Sequence, residues 1–262
     1  MDSDRLLRVV RQHAETATLL GVDFLPIGGS RGGEPGRGVE PGADRIAEPK
    51  PVRVAAGGDG GRGAMLEALR ARYEADAPHR HFVTDHHSIV FGEGSPEARL
   101  MFVGEAPGAE EDKTGRPFVG RAGQLLDKMI VAMGLTRESV YICNVLKTRP
   151  PNNATPTLEE VRLCAPYLFG QIGIIRPAAI VTLGLPASRL LLDSSEAMGK
   201  LRGRRHEFEI PGGFDAGIVP AEAVGTRIPV FPTYHPAYIL RSYTPENRAK
   251  VWSDMQLAMK VL

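Results

Sequence analysis

Short apolar segments alternate with longer amphipathic segments from residue 64 to the end of the chain. Four apolar segments rich in β-branched residues are predicted strands, at residues 100–103, 140–145, 179–183 and 229–231. Helices are predicted at residues 65–74, 123–133, 158–175, 186–192 and 246–261, with Thr157 and Glu160 forming a capping box at the start of the third. Strands that alternate with helices indicate an α/β fold with a mostly parallel sheet, covered by helices on both faces.

The first 63 residues follow a different pattern. Residues 1–25 place apolar positions behind Ser3, a candidate N-cap, and predict a short amphipathic segment. Residues 26–63 are rich in Gly, Pro and charge, so they cannot bury enough apolar surface to offset their chain entropy. We predict a disordered linker over 26–63 and one globular domain over 64–262. The N-terminal segment is interpreted either as a peptide that docks on a protein partner or as a weakly attached extension.

Composition limits the classes of protein to consider. The chain has 262 residues and a formal net charge of +1, so any nucleic-acid surface has to be local. The two cysteines, Cys143 and Cys164, form no CxxC motif and indicate neither a disulfide scaffold nor a zinc module. No apolar run is long enough to span a membrane and the N-terminus is charged, so a cytoplasmic protein is expected.

Polar side chains follow several predicted strands at their carboxyl ends. Glu105 follows the first strand, Asn144 ends the second and His235 follows the fourth, while Phe118 lies in the loop after Glu105. Each has an ordinary structural interpretation, as a surface acid, a backbone-satisfying amide, a structural histidine or a core aromatic. Because the carboxyl ends of parallel strands meet at one sheet edge, their joint occurrence favours a site for a small planar ligand. A carboxamide can read a nucleobase edge and an aromatic ring can stack on its face.

Three segments carry these residues: GEAPGAEEDKTGRPFVGRAGQLLD, YICNVLKTRPPNN and PTYHPAYILR. Together with the FGEG lead-in at residues 91–94, they resemble the signature blocks of the uracil-DNA glycosylase superfamily. They are most similar to its family-four branch, thermostable bacterial and archaeal enzymes with an iron–sulfur cluster. The resemblance implies a three-layer α/β/α sandwich around a four-stranded, mostly parallel sheet. It covers most of residues 90–262 and none of residues 1–63.

The resemblance also implies a reaction and roles. The reaction is hydrolysis of the N-glycosidic bond of a flipped uracil in DNA, leaving an abasic site. Glu105 matches the acid that positions water or stabilises the sugar cation, and His235 the residue that supports the departing uracil anion. The residues expected to line the substrate pocket are Phe118, which stacks on uracil, Asn144, which reads its edge, and Gly104 and Ala106. The alternatives are a non-catalytic DNA-binding member of the superfamily and a glycosylase for another deaminated base.

Contacts to DNA are expected from two further regions. In the superfamily, the loop after the histidine enters the minor groove, so Tyr238, Ile239 and Leu240 are wedge candidates and Arg241 is a phosphate ligand. The densest basic cluster, in GKLRGRRHEF, contains Lys200, Arg202, Arg204 and Arg205 and matches a backbone-contact segment. A solvated basic turn is the alternative for this cluster. Lys147 is also expected to contact DNA.

The chain departs from family four at the cluster cysteines. The four positions fall near Ala77 and Arg80 and at Thr148 and Cys164, so three of four cysteines are missing. One thiolate cannot hold such a cluster, and we predict no iron–sulfur cofactor and no metal. A structural zinc on His79, His81, His86, His87 and Cys164 is the alternative, but the histidines lack standard ligand spacing. The expectation is a monomer that acts on uracil-containing DNA, with the acidic run at residues 110–112 shaping the loop around Glu105.

Overall fold

The computed structural model describes residues 60–215 and 217–262. The predicted N-terminal segment, 1–25, and residues 26–59 of the predicted linker lie outside these residues, so both assignments stay predictions. Residues 60–63 belong to the first described helix, Gly60–Asp76, which therefore begins before the predicted domain boundary at residue 64.

One six-stranded sheet forms the centre of the fold, in the order β1-β3-β2-β4-β6-β5. The strands are β1 Glu93–Gly94, β2 Leu100–Gly104, β3 Tyr141–Asn144, β4 Ala179–Leu183, β5 His206–Glu209 and β6 Arg227–Thr233. The four inner strands are the predicted ones and run parallel. The two edge strands are antiparallel and were not predicted, because one is two residues long and the other is largely polar. The fold class is confirmed, with six strands instead of four.

Eight α-helices surround the sheet in the described part of the chain. They are α1 Gly60–Asp76, α2 Ala109–Thr114, α3 Arg121–Ala132, α4 Leu158–Ile175, α5 Leu185–Leu192, α6 Met198–Leu201, α7 Pro236–Arg241 and α8 Pro245–Met259. The predicted α4 is confirmed at both ends, and its capping box is present: Glu160 N–H donates to Thr157 Oγ1 at 3.3 Å. None of these helices is long and apolar enough to cross a membrane.

Strand alternation divides the apolar residues between two cores. Met101 and Val103 point to one face of β2, where α1, α4 and α5 pack, and Leu100 and Phe102 point to the other, where α3, α7 and α8 pack. Every residue of β2, β3 and β4 is buried, as expected for strands covered on both faces. The result is a three-layer α/β/α sandwich.

The register of the inner strands brings the predicted site residues together. Gly104 on β2 is paired with Asn144 on β3, and Leu183 on β4 is paired with Thr233 on β6. Glu105 follows Gly104 directly and His235 lies two residues beyond Thr233. All of these positions are therefore at the carboxyl edge of the parallel sheet, where open α/β folds bind ligands.

The segment at residues 209–227, whose sequence suggests an insertion, packs onto the sheet. Ile210, Ile218 and Ala223 are buried in the core that contains α1 and α4. The segment starts at the last residue of β5 and ends at the first residue of β6, so it connects these two antiparallel strands.

Candidate active site

A cavity of about 400 Å³ opens at the carboxyl edge of the sheet. Glu105, Ala106, Phe118, Asn144 and His235 all line it, so the structure brings together the residues predicted from separate segments. Further lining residues are Pro107, Gly108, Glu111, Asn153, Thr155 and Arg241.

Gly104 lies beneath the aromatic ring and the carboxamide of this cavity. A Cβ atom at this position would lie 2.4 Å from Phe118 Cζ and 2.3 Å from Asn144 Oδ1. Both distances are far below van der Waals contact, so no larger residue fits without displacing one of the two groups. Glycine at the end of β2 therefore allows the ring and the carboxamide to approach each other.

The Asn144 side chain is buried and incompletely satisfied. The residue is 1 % exposed, and its Oδ1 has no hydrogen-bond partner within the protein. A buried acceptor without a partner is costly, and it marks a position where a ligand donor can bind. An imide N–H of a pyrimidine is such a donor.

Two side chains hold the backbone on either side of Phe118, which has φ +52°. Glu111 Oε1 accepts from the N–H groups of Val119 and Gly120 at 2.8 and 2.9 Å. Arg137 donates to the carbonyl oxygen of Phe118 at 3.1 Å and to that of Pro117. These bonds fix a backbone conformation that non-glycine residues seldom adopt, and they orient the ring toward the cavity.

His235 faces Phe118, with 5.7 Å between the ring centroids. Its Nδ1 accepts from the Ala237 N–H at 3.1 Å, so the ring hydrogen of the neutral form is on Nε2. Burial, together with the positive charge of Arg241, lowers the pKa of His235 to about 4, although Glu111 acts in the opposite direction. The imidazole is therefore neutral at neutral pH and can donate from Nε2.

Glu105 is the carboxylate of the cavity. Burial raises its pKa above the usual value, and a hydrogen bond from the Thr155 side chain opposes this shift. The Glu105 carbonyl accepts from Leu146 N–H at 3.1 Å, which ties the end of β2 to the segment after β3. The arrangement presents an acid and a hydrogen-bond donor to one ligand.

The predicted DNA contacts divide into exposed and buried residues. Tyr238 is 38 % exposed, Leu240 is half-buried, and Arg241, Arg204 and Arg205 are exposed. These positions are accessible to DNA, although Arg204 and Arg205 also form ion pairs with Glu196 and Glu207.

Three other predicted contacts are corrected, two by burial and one by an ion pair within the fold. Lys147 is fully buried and Ile239 is 1 % exposed within the core, so neither can reach DNA from outside. Arg202 binds the buried Asp254 carboxylate through two nitrogens at 2.8 and 3.0 Å, with its guanidinium over the Tyr234 ring. The sequence shows that a residue is basic, but it does not show whether the charge is bound within the protein or exposed to DNA.

Glu111 and Thr155 were not predicted as individual site residues. The acidic run at residues 110–112 suggested only that it shapes the loop, and Glu111 does so through the N–H groups after Phe118. No sequence pattern marks Thr155 as a site residue. It lies far from Glu105 in the chain, and only the fold brings the two side chains together.

The positions where family four holds its cluster do not fit that group. Ala77 carries a methyl group, Arg80 is exposed, and Thr148 and Cys164 are fully buried. The Tyr73 hydroxyl lies close to Cys164 and Thr148, although it forms no hydrogen bond of ordinary geometry. Burial raises the pKa of the Cys164 thiol to about 11, which disfavours the thiolate that a metal needs.

Three of the four histidines in residues 79–87 form contacts with protein groups, and His81 is exposed. His79 stacks on Tyr73 at 5.5 Å and meets the edge of His86 at 4.9 Å, while His87 binds the buried Asp112 at 2.8 Å. Within the described residues, no group of three or more His, Cys, Asp or Glu side chains could hold a metal ion.

Known proteins match this chain over the region that contains the cavity. A family model described as the uracil DNA glycosylase superfamily matches residues 91–256. The chain is 45 % identical over 172 residues to a Type-4 uracil-DNA glycosylase of Thermotoga maritima, covering 65 % of this chain and 81 % of the relative. It is 41 % identical over 174 residues to a Type-4 uracil-DNA glycosylase of Pyrobaculum aerophilum, with 65 % and 81 % covered.

A more distant relative is a Type-5 uracil-DNA glycosylase of Thermus thermophilus, 34 % identical over 145 residues, with 47 % of this chain and 64 % of the relative covered. The resemblance inferred from the three signature blocks is confirmed by these matches. The cavity lies at the sheet edge predicted for it, and its lining contains the unpartnered Asn144 Oδ1 and the neutral His235. The chain belongs to the uracil-DNA glycosylase superfamily.

Proposed function

We propose that the protein is a uracil-DNA glycosylase that starts base-excision repair by hydrolysing the N-glycosidic bond of a flipped uracil. The observation that carries this proposal is the unpartnered Oδ1 of Asn144 beside the Phe118 ring in the cavity. The ring supports the planar base by stacking, and the carboxamide binds its polar edge. Base flipping is needed because the glycosidic bond is not accessible within a stacked duplex.

The remaining cavity residues supply the charge that bond cleavage requires. As the bond breaks, the sugar becomes cationic and the uracil anionic, and only interactions that strengthen with this separation accelerate the reaction. The Glu105 carboxylate stabilises the cation and orients the attacking water. The Nε2–H group of neutral His235 donates to the uracil oxygen that gains charge, and a preorganised donor of this kind contributes about 3 kcal/mol.

Contacts to the DNA strand come from exposed residues around the cavity. We assign Arg241, at the cavity wall, to a phosphate, Tyr238 and Leu240 to the groove beside the flipped base, and Arg204 and Arg205 to the backbone. These assignments predict affinity that falls with salt for the arginine contacts.

The proposed activity does not need an iron–sulfur cluster. In this proposal, Tyr73 packs against Cys164, Thr148 and His79, and this packing holds α1, α4 and the segment after β3 together in place of a cluster. Iron and sulfide content measured on purified, active protein tests this point, and stoichiometric iron in active protein would contradict it.

We also propose that the protein acts as a monomer in the cytoplasm, with residues 1–25 binding a protein partner. Both cysteines, Cys143 and Cys164, are free and buried, which supports a reducing compartment. Sedimentation of the full chain tests the oligomeric state.

Uracil release from a labelled oligonucleotide, with abasic sites detected by alkaline cleavage, tests the proposed function. Glu105→Ala, Asn144→Ala and His235→Ala are each expected to lower the excision rate by about 100-fold or more. Glu110→Ala, which removes an exposed acid on the neighbouring helix α2, is the matched control. Protein that binds DNA but releases no uracil would support the non-catalytic alternative, and release of hypoxanthine or xanthine instead would support the other glycosylase.

A further inference from the structure

Lys147 is a lysine inside the protein core, three residues after Asn144. Its side chain is fully buried, and its ammonium donates to the Asn144 carbonyl oxygen at 2.7 Å and to Gln171 Oε1 at 2.6 Å. The ammonium also lies 5.4 Å from the centre of the Phe91 ring. Across the described residues, no carboxylate lies within ion-pair distance of this ammonium.

The surrounding groups are arranged to hold the ammonium in place. Gln171, on α4, is fully buried and uses its other end to donate to Phe91 O at 2.9 Å and Tyr141 Oη at 3.1 Å. Its orientation is therefore fixed, with Oε1 toward Lys147. Burial lowers the pKa of the Lys147 ammonium, and the neighbouring thiols of Cys143 and Cys164 oppose this shift.

A buried cation without an anionic partner destabilises a fold relative to an apolar side chain of similar length. Methionine would fill the same space at lower cost, so packing alone does not explain a lysine here. Uncompensated buried charges concentrate at functional sites, where they act on a reacting group.

The hydrogen bond from Lys147 to Asn144 connects the buried ammonium to a residue that lines the cavity. The ammonium binds the backbone oxygen of Asn144, whose carboxamide lines the cavity. The same turn joins the two strand ends, because Val145 N–H donates to Gly104 O at 3.0 Å and Leu146 N–H to Glu105 O at 3.1 Å. Lys147 therefore holds the segment that places the base-reading amide beside the acid.

We propose that Lys147 is a positioning residue for uracil excision, which orients the Asn144 peptide and brings a buried positive charge behind the wall of the cavity that Asn144 forms. This inference rests on the proposed function. The charge does not touch the base. It stabilises the anion through Asn144 and through a protein interior of low polarity, which screens charge less than water does.

The dependence of the excision rate on the leaving group distinguishes this positioning role from a purely structural one. The N1 anion of 5-fluorouracil is intrinsically more stable than that of uracil, so its release depends less on charge stabilisation by the protein. Lys147→Met is expected to lower kcat for uracil by about 10- to 100-fold, with a several-fold smaller loss for 5-fluorouracil and little change in KM. The exposed Lys128 gives the matched control, Lys128→Met, which should leave both rates unchanged.

The ratio of the two rates, measured on one preparation, does not depend on the folded fraction, so partial misfolding cannot produce the effect. Gln171→Glu is the second variant: its carboxylate keeps an acceptor for Lys147 and offsets the positive charge, although it loses the donor to Phe91 O and Tyr141 Oη. It should also lower the uracil rate more than the 5-fluorouracil rate. Equal losses for the two bases, or wild-type rates in Lys147→Met, would overturn the inference alone. Wild-type protein that releases neither base would overturn the proposed function and this inference together.

Discussion

Phe118 and Asn144 meet across the bare Cα of Gly104, where a Cβ would come within 2.4 Å of the ring and 2.3 Å of the amide oxygen. The stacking surface and the edge-reading group are thus set against each other before any base enters. Such preorganisation lowers the cost of ordering these groups on binding.

Gly104→Ala is expected to lower kcat/KM for uracil excision by about 100-fold, because the new methyl group must displace the ring or the carboxamide. Overpacking should also lower the free energy of unfolding by about 1–3 kcal/mol. Steady-state kinetics and urea unfolding measure the two effects. Gly199→Ala is the control, since a Cβ there meets nothing within 4 Å; similar losses in both variants would contradict the role of Gly104.

Arg137→Met is expected to reduce kcat/KM by about 10- to 100-fold, because the carbonyl groups around Phe118 lose their donor and the ring is no longer held. Arg116→Met provides a matched comparison: Arg116 pairs with the same Glu93 but makes no bond to the Phe118 backbone. Kinetics of both variants on one uracil oligonucleotide test this. An equal loss of activity in the two variants would assign the effect to the ion pair with Glu93 and not to the bond with the Phe118 backbone.

Thr155→Val is expected to move the acid limb of the pH–rate profile to higher pH. The Thr155 hydroxyl lowers the pKa of Glu105 against the raising effect of burial, so its removal raises that pKa further. Excision needs the carboxylate, so activity is present above this pKa and is lost as pH falls through it. His235 has a pKa of about 4, so it gains a proton only at the acid end of the profile.

The measurement is kcat/KM for uracil excision from about pH 4 to pH 8. Thr114→Val removes a hydroxyl that binds the Glu110 carbonyl, away from the cavity, and should leave the profile in place. An acid limb that does not move in Thr155→Val would contradict the assigned role of Glu105 or its bond to Thr155.

Tyr73→Ala is expected to lower the free energy of unfolding by about 3–5 kcal/mol, because it opens a cavity where the ring packs against Cys164, Tyr167 and His79. Tyr73→Phe should change it by less than about 1 kcal/mol, since the buried hydroxyl forms no hydrogen bond of ordinary geometry. Urea unfolding of both variants shows whether the packing of the Tyr73 ring or its hydroxyl group stabilises the fold. A large loss in Tyr73→Phe would show that the hydroxyl carries the stabilisation.

Local patterns predicted most of the architecture. The four inner strands and α4 were found from apolar runs and a capping box, because burial on both faces and helix capping leave their mark on neighbouring residues. The edge strands were missed, because Glu93–Gly94 is too short for any pattern and His206–Glu209 is paired on one side only.

The sequence by itself determined which residue types stand at the ends of the inner strands, and so the family, the reaction and the identities of Glu105, Phe118, Asn144 and His235. Tertiary structure alone decided how charges are used: Lys147 and Arg202 were expected on DNA, yet one ammonium holds the Asn144 peptide and one guanidinium binds Asp254. The physical reason is that the burial of a long basic side chain depends on neighbours far away in the chain, such as Gln171 and Asp254, and no local pattern records that distance.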